Sequence, residues 1–136
     1  MKQTILLIDD SKFLRRANEL ALTKAGYSVL NAADGEEGLR MAREKSPNLI
    51  VLDMMLPKLS GPELLEGLKK APQTANIPVI VLSSLAQKNA DRLKSLGAVA
   101  YFEKAALGTE SGSATLLRAV RDALRAAPAT AAALSR

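Results

Sequence analysis

Four short apolar runs punctuate the chain at 5–8 (ILLI), 49–52 (LIVL), 79–82 (VIVL) and 99–102 (VAYF), with a more alternating run at 27–30 (YSVL). Phe13, Ala17, Leu20, Ala21 and Lys24 follow helical spacing between them, as do Leu64, Leu65 and Leu68, then Leu93 and Leu96, then Leu116, Val120 and Leu124. Short runs rich in Ile and Val read as strands and the helix-period segments as helices, so the chain predicts five strands alternating with five helices. Such alternation allows little except a parallel sheet with right-handed crossovers and helices on both faces, an α/β doubly wound fold. The uniformly apolar runs at 5–8, 49–52 and 79–82 belong in the middle of that sheet, because an interior strand is buried on both sides. The mixed runs suit its edges.

Gly26 and Gly97 fall just past the first and fourth helices, where a left-handed residue is usual, and Pro47 closes the second. Gly61-Pro62-Glu63 reads as an N-cap followed by proline at the first helical position, and Pro78 opens the fourth strand. The segment 107–115 (LGTESGSAT) reads as a flexible loop before the last helix. Beyond Arg125 the chain is Ala-rich and interrupted by Pro128, which leaves one domain at 1–126 and an expected disordered tail at 127–136.

With 136 residues, 48% of them hydrophobic and 24% charged, the chain can bury one ordinary core. No apolar run approaches the roughly 18 residues of a membrane span, and the start MKQTILLIDD is too short and acidic for a secretory signal; a cytoplasmic protein is expected. Cysteine and histidine are both absent, which removes disulfides, thiolate or imidazole metal sites and Ser-His-Asp triads. Chemistry must come from carboxylates, hydroxyls, lysine and backbone. The net charge of +5 comes from 19 basic residues scattered without a dense run, and aromatics make up only 3%, so the charge reads as solvated surface and no direct nucleic-acid partner is expected.

In an open parallel sheet, ligands gather at the carboxyl ends of the strands. Asp9 and Asp10 end the first strand, Asp53 the third, Ser83 and Ser84 the fourth, and Lys104 the fifth. Each has an ordinary reading alone: a helix cap, a turn acid, a loop hydroxyl, a surface charge. Capping needs only one of Asp10 and Ser11, however, and two like charges side by side repel. Three carboxylates on one rim need a cation among them, and an all-oxygen ligand set suits a hard ion such as Mg²⁺.

The motifs LLIDDS, LIVLDMMLPKLSG, IPVIVLSS and GAVAYFEK occur in this order, with 30 residues from Asp53 to Ser83 and 51 from Asp53 to Lys104. Over roughly residues 3–126 this set resembles the receiver domain of two-component response regulators, of the single-domain chemotaxis type. The resemblance implies a flavodoxin-like sheet of order 2-1-3-4-5, with Asp53 as phosphoacceptor and a histidine kinase or histidine phosphotransfer protein as donor. It implies Mg²⁺ held directly by Asp10 and Asp53, through water by Asp9, and by the carbonyl of Met55. Lys104 and the Ser83 hydroxyl would meet the phosphoryl oxygens, and the amides of Met54 and Ser84 would complete the cradle. Ser83 and Tyr101 would form the switch, and the fourth helix, fifth strand and fifth helix (about 85–126) the output face toward a downstream protein effector, with a weak or phosphorylation-dependent dimer as a further state. The implied role is a signalling phosphoacceptor that promotes its own phosphotransfer and dephosphorylation, with no membrane partner.

Ala105 stands where the family usually has proline after a cis bond, and since a cis bond to a non-proline costs about 3 kcal/mol, the Lys104–Ala105 peptide is open to either isomer. Ser84 stands where alanine is commoner. Two rival readings share the fold or the chemistry. A phosphatase of haloacid-dehalogenase type also uses an aspartyl phosphate, but it carries a second Asp where this chain has Met55. A pseudo-receiver that is never phosphorylated is the other, against which the intact Asp10, Asp53 and Lys104 argue.

Overall fold

Five strands, β1 (Thr4–Ile8), β2 (Ser28–Ala32), β3 (Leu49–Asp53), β4 (Val79–Ser83) and β5 (Ala100–Glu103), pair in parallel as one sheet of order β2-β1-β3-β4-β5 in a computed structural model of the chain. The structure describes residues 2–53, 61–83, 95, 97–103 and 110–126. Helices α1 (Lys12–Lys24), α2 (Gly35–Lys45), α3 (Gly61–Lys70) and α4 (Glu110–Ala126) complete this flavodoxin-like arrangement. The helix expected around Leu93 and Leu96 and the tail at 127–136 lie outside the described residues. Among those residues, no helix is long and apolar enough to cross a membrane.

The central strands divide their side chains between two cores, as the pleat requires. Leu6, Ile8, Ile50, Leu52, Val79 and Val81 pack on one face with Leu64, Leu65 and Leu68 of α3. Ile5, Leu7, Leu49, Val51, Ile80 and Leu82 pack on the other with Leu22 of α1 and Leu116 and Val120 of α4. Burial on both faces is why these runs show no polar alternation. The edges fall to β2 and β5, as expected.

Local departures from the sequence reading have local causes. In α1 the stripe at Phe13, Ala17 and Leu20 faces outward, with Phe13 75% and Leu20 49% exposed, whereas the buried positions are Asn18 and Leu22. A polar residue in the middle of the inward face hides that face from a hydropathy pattern. Strand β2 starts at Ser28 because Tyr27 N–H donates to Leu22 O at 3.1 Å and Gly26 N–H to Thr23 O at 3.0 Å, closing α1 around Gly26 at φ +100°. Helix α2 ends without glycine, on Ser46 at φ +46°. Helix α3 includes Gly61, which places Pro62 one residue deeper in the first turn than the cap reading had it. Helix α4 begins at Glu110, so most of the expected 107–115 loop is helical. Propagation of a helix anchored by Leu116 and Val120 is cheap.

Lys69 of α3 has an environment unlike the other lysines described. Its Nζ donates to Ala75 O at 3.1 Å and Ile77 O at 3.2 Å, and burial pushes its pKa below the usual 10.5. In the interval between that lowered value and 10.5, the unfolded chain binds more protons at this position than the folded one, so stability rises with pH there. Below the interval both states are charged and the burial penalty is constant. Lys69→Met is therefore expected to flatten the rise of the urea midpoint as pH approaches 10.5 from below. An unchanged slope would assign the rise to other lysines.

Candidate functional site

Strand register builds the site. Ile8 lies opposite Leu52, Asp53 opposite Leu82, and Ser83 opposite Glu103, so β1, β3, β4 and β5 end nearly level on one rim. Asp9 follows the last residue of β1 and Asp53 is the last residue of β3. Asp53 is fully buried and Asp9 is 3% exposed, while Asp10 faces solvent.

Neither aspartate of the pair is spent on capping. Ser11 is the N-cap of α1, its Oγ accepting from Leu14 N–H at 3.3 Å. The turn before it is held by Ser11 N–H donating to Asp9 Oδ1 at 2.9 Å and by Asp9 N–H donating to Ala32 O at 3.1 Å. Arg15 reaches back one helical turn, and its Nη1 donates to the Asp9 carbonyl at 2.6 Å. Sequence reasoning did not find Arg15. The available signal was its position one turn into a helix, where a long side chain lies over the preceding turn.

One carboxylate oxygen from each of Asp9, Asp10 and Asp53 lies within 4.8 Å of the others. Opposite ligands of an octahedral Mg²⁺ stand about 4 Å apart, since each bond is about 2.0–2.1 Å, so three oxygens within 4.8 Å of one another are close enough that they could share one metal ion. The donor set agrees, being oxygen alone. Exposure of Asp10 leaves an open side, which suits an ion that keeps several of its waters.

The other expected site residues are placed unequally. Ser83 ends β4 by its backbone, but its side chain, together with Met54, Met55, Ser84 and Lys104, lies outside the described residues, as does the Lys104–Ala105 peptide. Tyr101 of β5 is half-buried, opposite Val81 and packed against the core shared with α3.

Comparison with known proteins agrees with this geometry. The family model of the response regulator receiver domain matches residues 5–111. The chain belongs to that family. Receivers are the phosphoacceptors of two-component signalling systems, and this one is 47% identical over 109 residues to a gliding motility regulatory protein of Myxococcus xanthus, covering 78% of this chain and 14% of that protein. Among solved structures it is similar to a putative response regulator from Chloroflexus aurantiacus (TM-score 0.82, 28% identity, 92% of this chain and 99% of that one). It is also similar to the Vibrio cholerae chemotaxis protein CheY4 (TM-score 0.80, 25% identity, 90% and 99%). The receiver spans less than half the length of the curated relatives it matches.

Proposed function

We propose that this receiver, as a unit of residues 1–126, takes a phosphoryl group from a phosphohistidine of a histidine kinase or phosphotransfer protein onto Asp53. The observation that carries this reading is a fully buried carboxylate at the end of a central strand, within 4.8 Å of two more on the neighbouring strand's turn. A carboxylate oxygen of Asp53 attacks phosphorus in line with the P–N bond, which breaks with its electron pair leaving on the imidazole; an acyl phosphate forms. Asp10 and Asp53 directly, Asp9 through water, and the Met55 carbonyl would hold Mg²⁺, which when bound neutralises charge on the carboxylates and on the transferring phosphoryl oxygens.

The chain's own residues do the rest. Burial at the end of β3 fixes Asp53 and excludes bulk water from one side of the nucleophile. Lys104 pairs with one phosphoryl oxygen, the Ser83 hydroxyl donates to another, and the amides of Met54 and Ser84 complete the cradle. Movement of Ser83 toward the phosphoryl group frees space that Tyr101 takes up, which carries the signal to the face formed by 85–126 for a downstream protein effector. The half-burial of Tyr101 beside β4 supports this role. A haloacid-dehalogenase-type phosphatase has no supporting observation, and a pseudo-receiver would have no use for the converging acids.

Beryllofluoride with Mg²⁺ mimics the acyl phosphate and tests the reading as a whole. Backbone resonances are expected to shift at Asp9, Asp10 and Asp53 and also across 97–103 and 110–126. No shift at the three aspartates would overturn the acceptor site, and shifts confined to them would overturn the output face.

A further inference from the structure

We propose that Arg15 is a resident counter-cation of the acidic site, a positioning residue that sets the divalent-ion affinity of Asp9, Asp10 and Asp53 from outside the ligand set. This rests on the metal reading above. The Arg15 guanidinium donates through Nη1 to the carbonyl of Asp9 at 2.6 Å, and Asp9 is the residue whose carboxylate joins the cluster. The backbone leaves little choice in this placement: Arg15 N–H donates to Ser11 O at 2.9 Å at the start of α1, so the side chain starts one turn from the acids and reaches back to the backbone of the turn that carries two of them.

Two effects of the guanidinium oppose each other. Its hydrogen bond helps to hold the turn that carries Asp9 and Asp10, which favours a formed metal site. Its charge repels an incoming cation and offsets the repulsion among three carboxylates when no ion is present. Two of the three carboxylates are buried, so the interaction is screened less than an exposed pair would be.

Redundancy decides between the two effects. The turn keeps three other bonds when Arg15 is removed: Asp9 N–H to Ala32 O, Ser11 N–H to Asp9 Oδ1, and Leu14 N–H to Ser11 Oγ. No other cation among the described residues bonds to the turn. Arg16 points to solvent, its side chain 71% exposed in a surface pair with Glu19. The geometry therefore survives the loss of Arg15, and the positive charge that Arg15 itself brings to the turn does not. Arg15 offsets the mutual repulsion of the resting acids at the expense of metal affinity.

Mg²⁺ titration of the full chain at constant ionic strength, read by calorimetry and by the shift in melting temperature, tests this. Arg15→Met is expected to tighten Mg²⁺ binding about three- to tenfold and to lower the melting temperature of the metal-free protein. Arg15→Gln, which keeps a donor for the Asp9 carbonyl without the charge, should also tighten binding, and it keeps the idea testable if the methionine variant folds poorly. Arg15→Lys and Arg16→Met should both stay within about twofold of the parent. Equal or weaker binding in Arg15→Gln, or Arg15→Lys behaving like Arg15→Gln, overturns the proposal. If instead the parent shows no Mg²⁺ binding, or Asp10→Asn binds as well as the parent, the metal reading itself fails and this one falls with it.

Discussion

Asp53→Asn is expected to abolish phosphoryl incorporation from acetyl phosphate or phosphoramidate while the protein keeps its fold. The substitution is nearly isosteric, so the fully buried end of β3 loses no volume. An amide oxygen lacks the negative charge and the nucleophilicity of a carboxylate oxygen, and no acyl phosphate forms through it. Removing one of three converging negative charges also relieves repulsion in the metal-free state, so the melting temperature should hold or rise. Intact-mass measurement after incubation with the small-molecule donor and Mg²⁺ separates the outcomes. Asp9 and Asp10 are the nearest alternative acceptors, and labelling of Asp53→Asn to the parent's stoichiometry would transfer the nucleophile's role to one of them. A pseudo-receiver would show no labelling in the parent either.

Gly38→Val should cost about 2–3 kcal/mol of stability, a large fraction of what a domain of this size possesses. A Cβ at Gly38 would stand 2.6 Å from Ile8 Cδ1 and 2.9 Å from Ile8 Cγ2. Ile8 cannot swing away: it is fully buried, β-branched and therefore stiff, and paired in register with Ala32 and Leu52. Helix α2 would have to move off the sheet, or β1 would have to shift at the residue directly before Asp9. Gly38→Ala should cost less, because better helix propensity returns up to about 1 kcal/mol. Ile8→Ala alone leaves a cavity and costs about 2–5 kcal/mol, yet the pair Ile8→Ala with Gly38→Val should be less destabilised than the sum of the two by about 1 kcal/mol or more. Urea unfolding of the four proteins gives the coupling directly. Strict additivity would mean that the helix relaxes at no cost and that the close approach does not constrain it.

Both predictions concern a stretch of the same kind, the end of a central strand, where a buried apolar residue is followed at once by an acid of the site. The sequence shows that stretch clearly. A strand covered on both faces must be apolar at every position, and where it leaves the sheet it can turn polar at once, so ILLI followed by DD and LIVL followed by D mark both the centre of the sheet and its functional rim. The parallel arrangement, the places of β2 and β5 at the edges, and the meeting of Asp9, Asp10 and Asp53 follow from such one-dimensional signals. They are legible because burial and strand polarity act on each residue separately.

What the tertiary structure alone decided depends on pairs of residues far apart, or on the rotation of a helix about its own axis. Asn18 sits where α1 faces the sheet, which turns Phe13 and Leu20 outward although their spacing is as regular as any buried stripe. The start of β2 was set by how α1 ends around Gly26, and the start of α4 by packing at Leu116 and Val120. The contact of Gly38 with Ile8 and the hydrogen bond from Arg15 to the Asp9 carbonyl leave no trace in hydropathy, since a glycine in a helix and an arginine on a helix surface each have many ordinary uses. Periodicity reports which residues prefer to leave water. It carries no term for the distance between two chosen atoms, and that distance decides whether a missing Cβ is required and whether a guanidinium lies on a particular carbonyl.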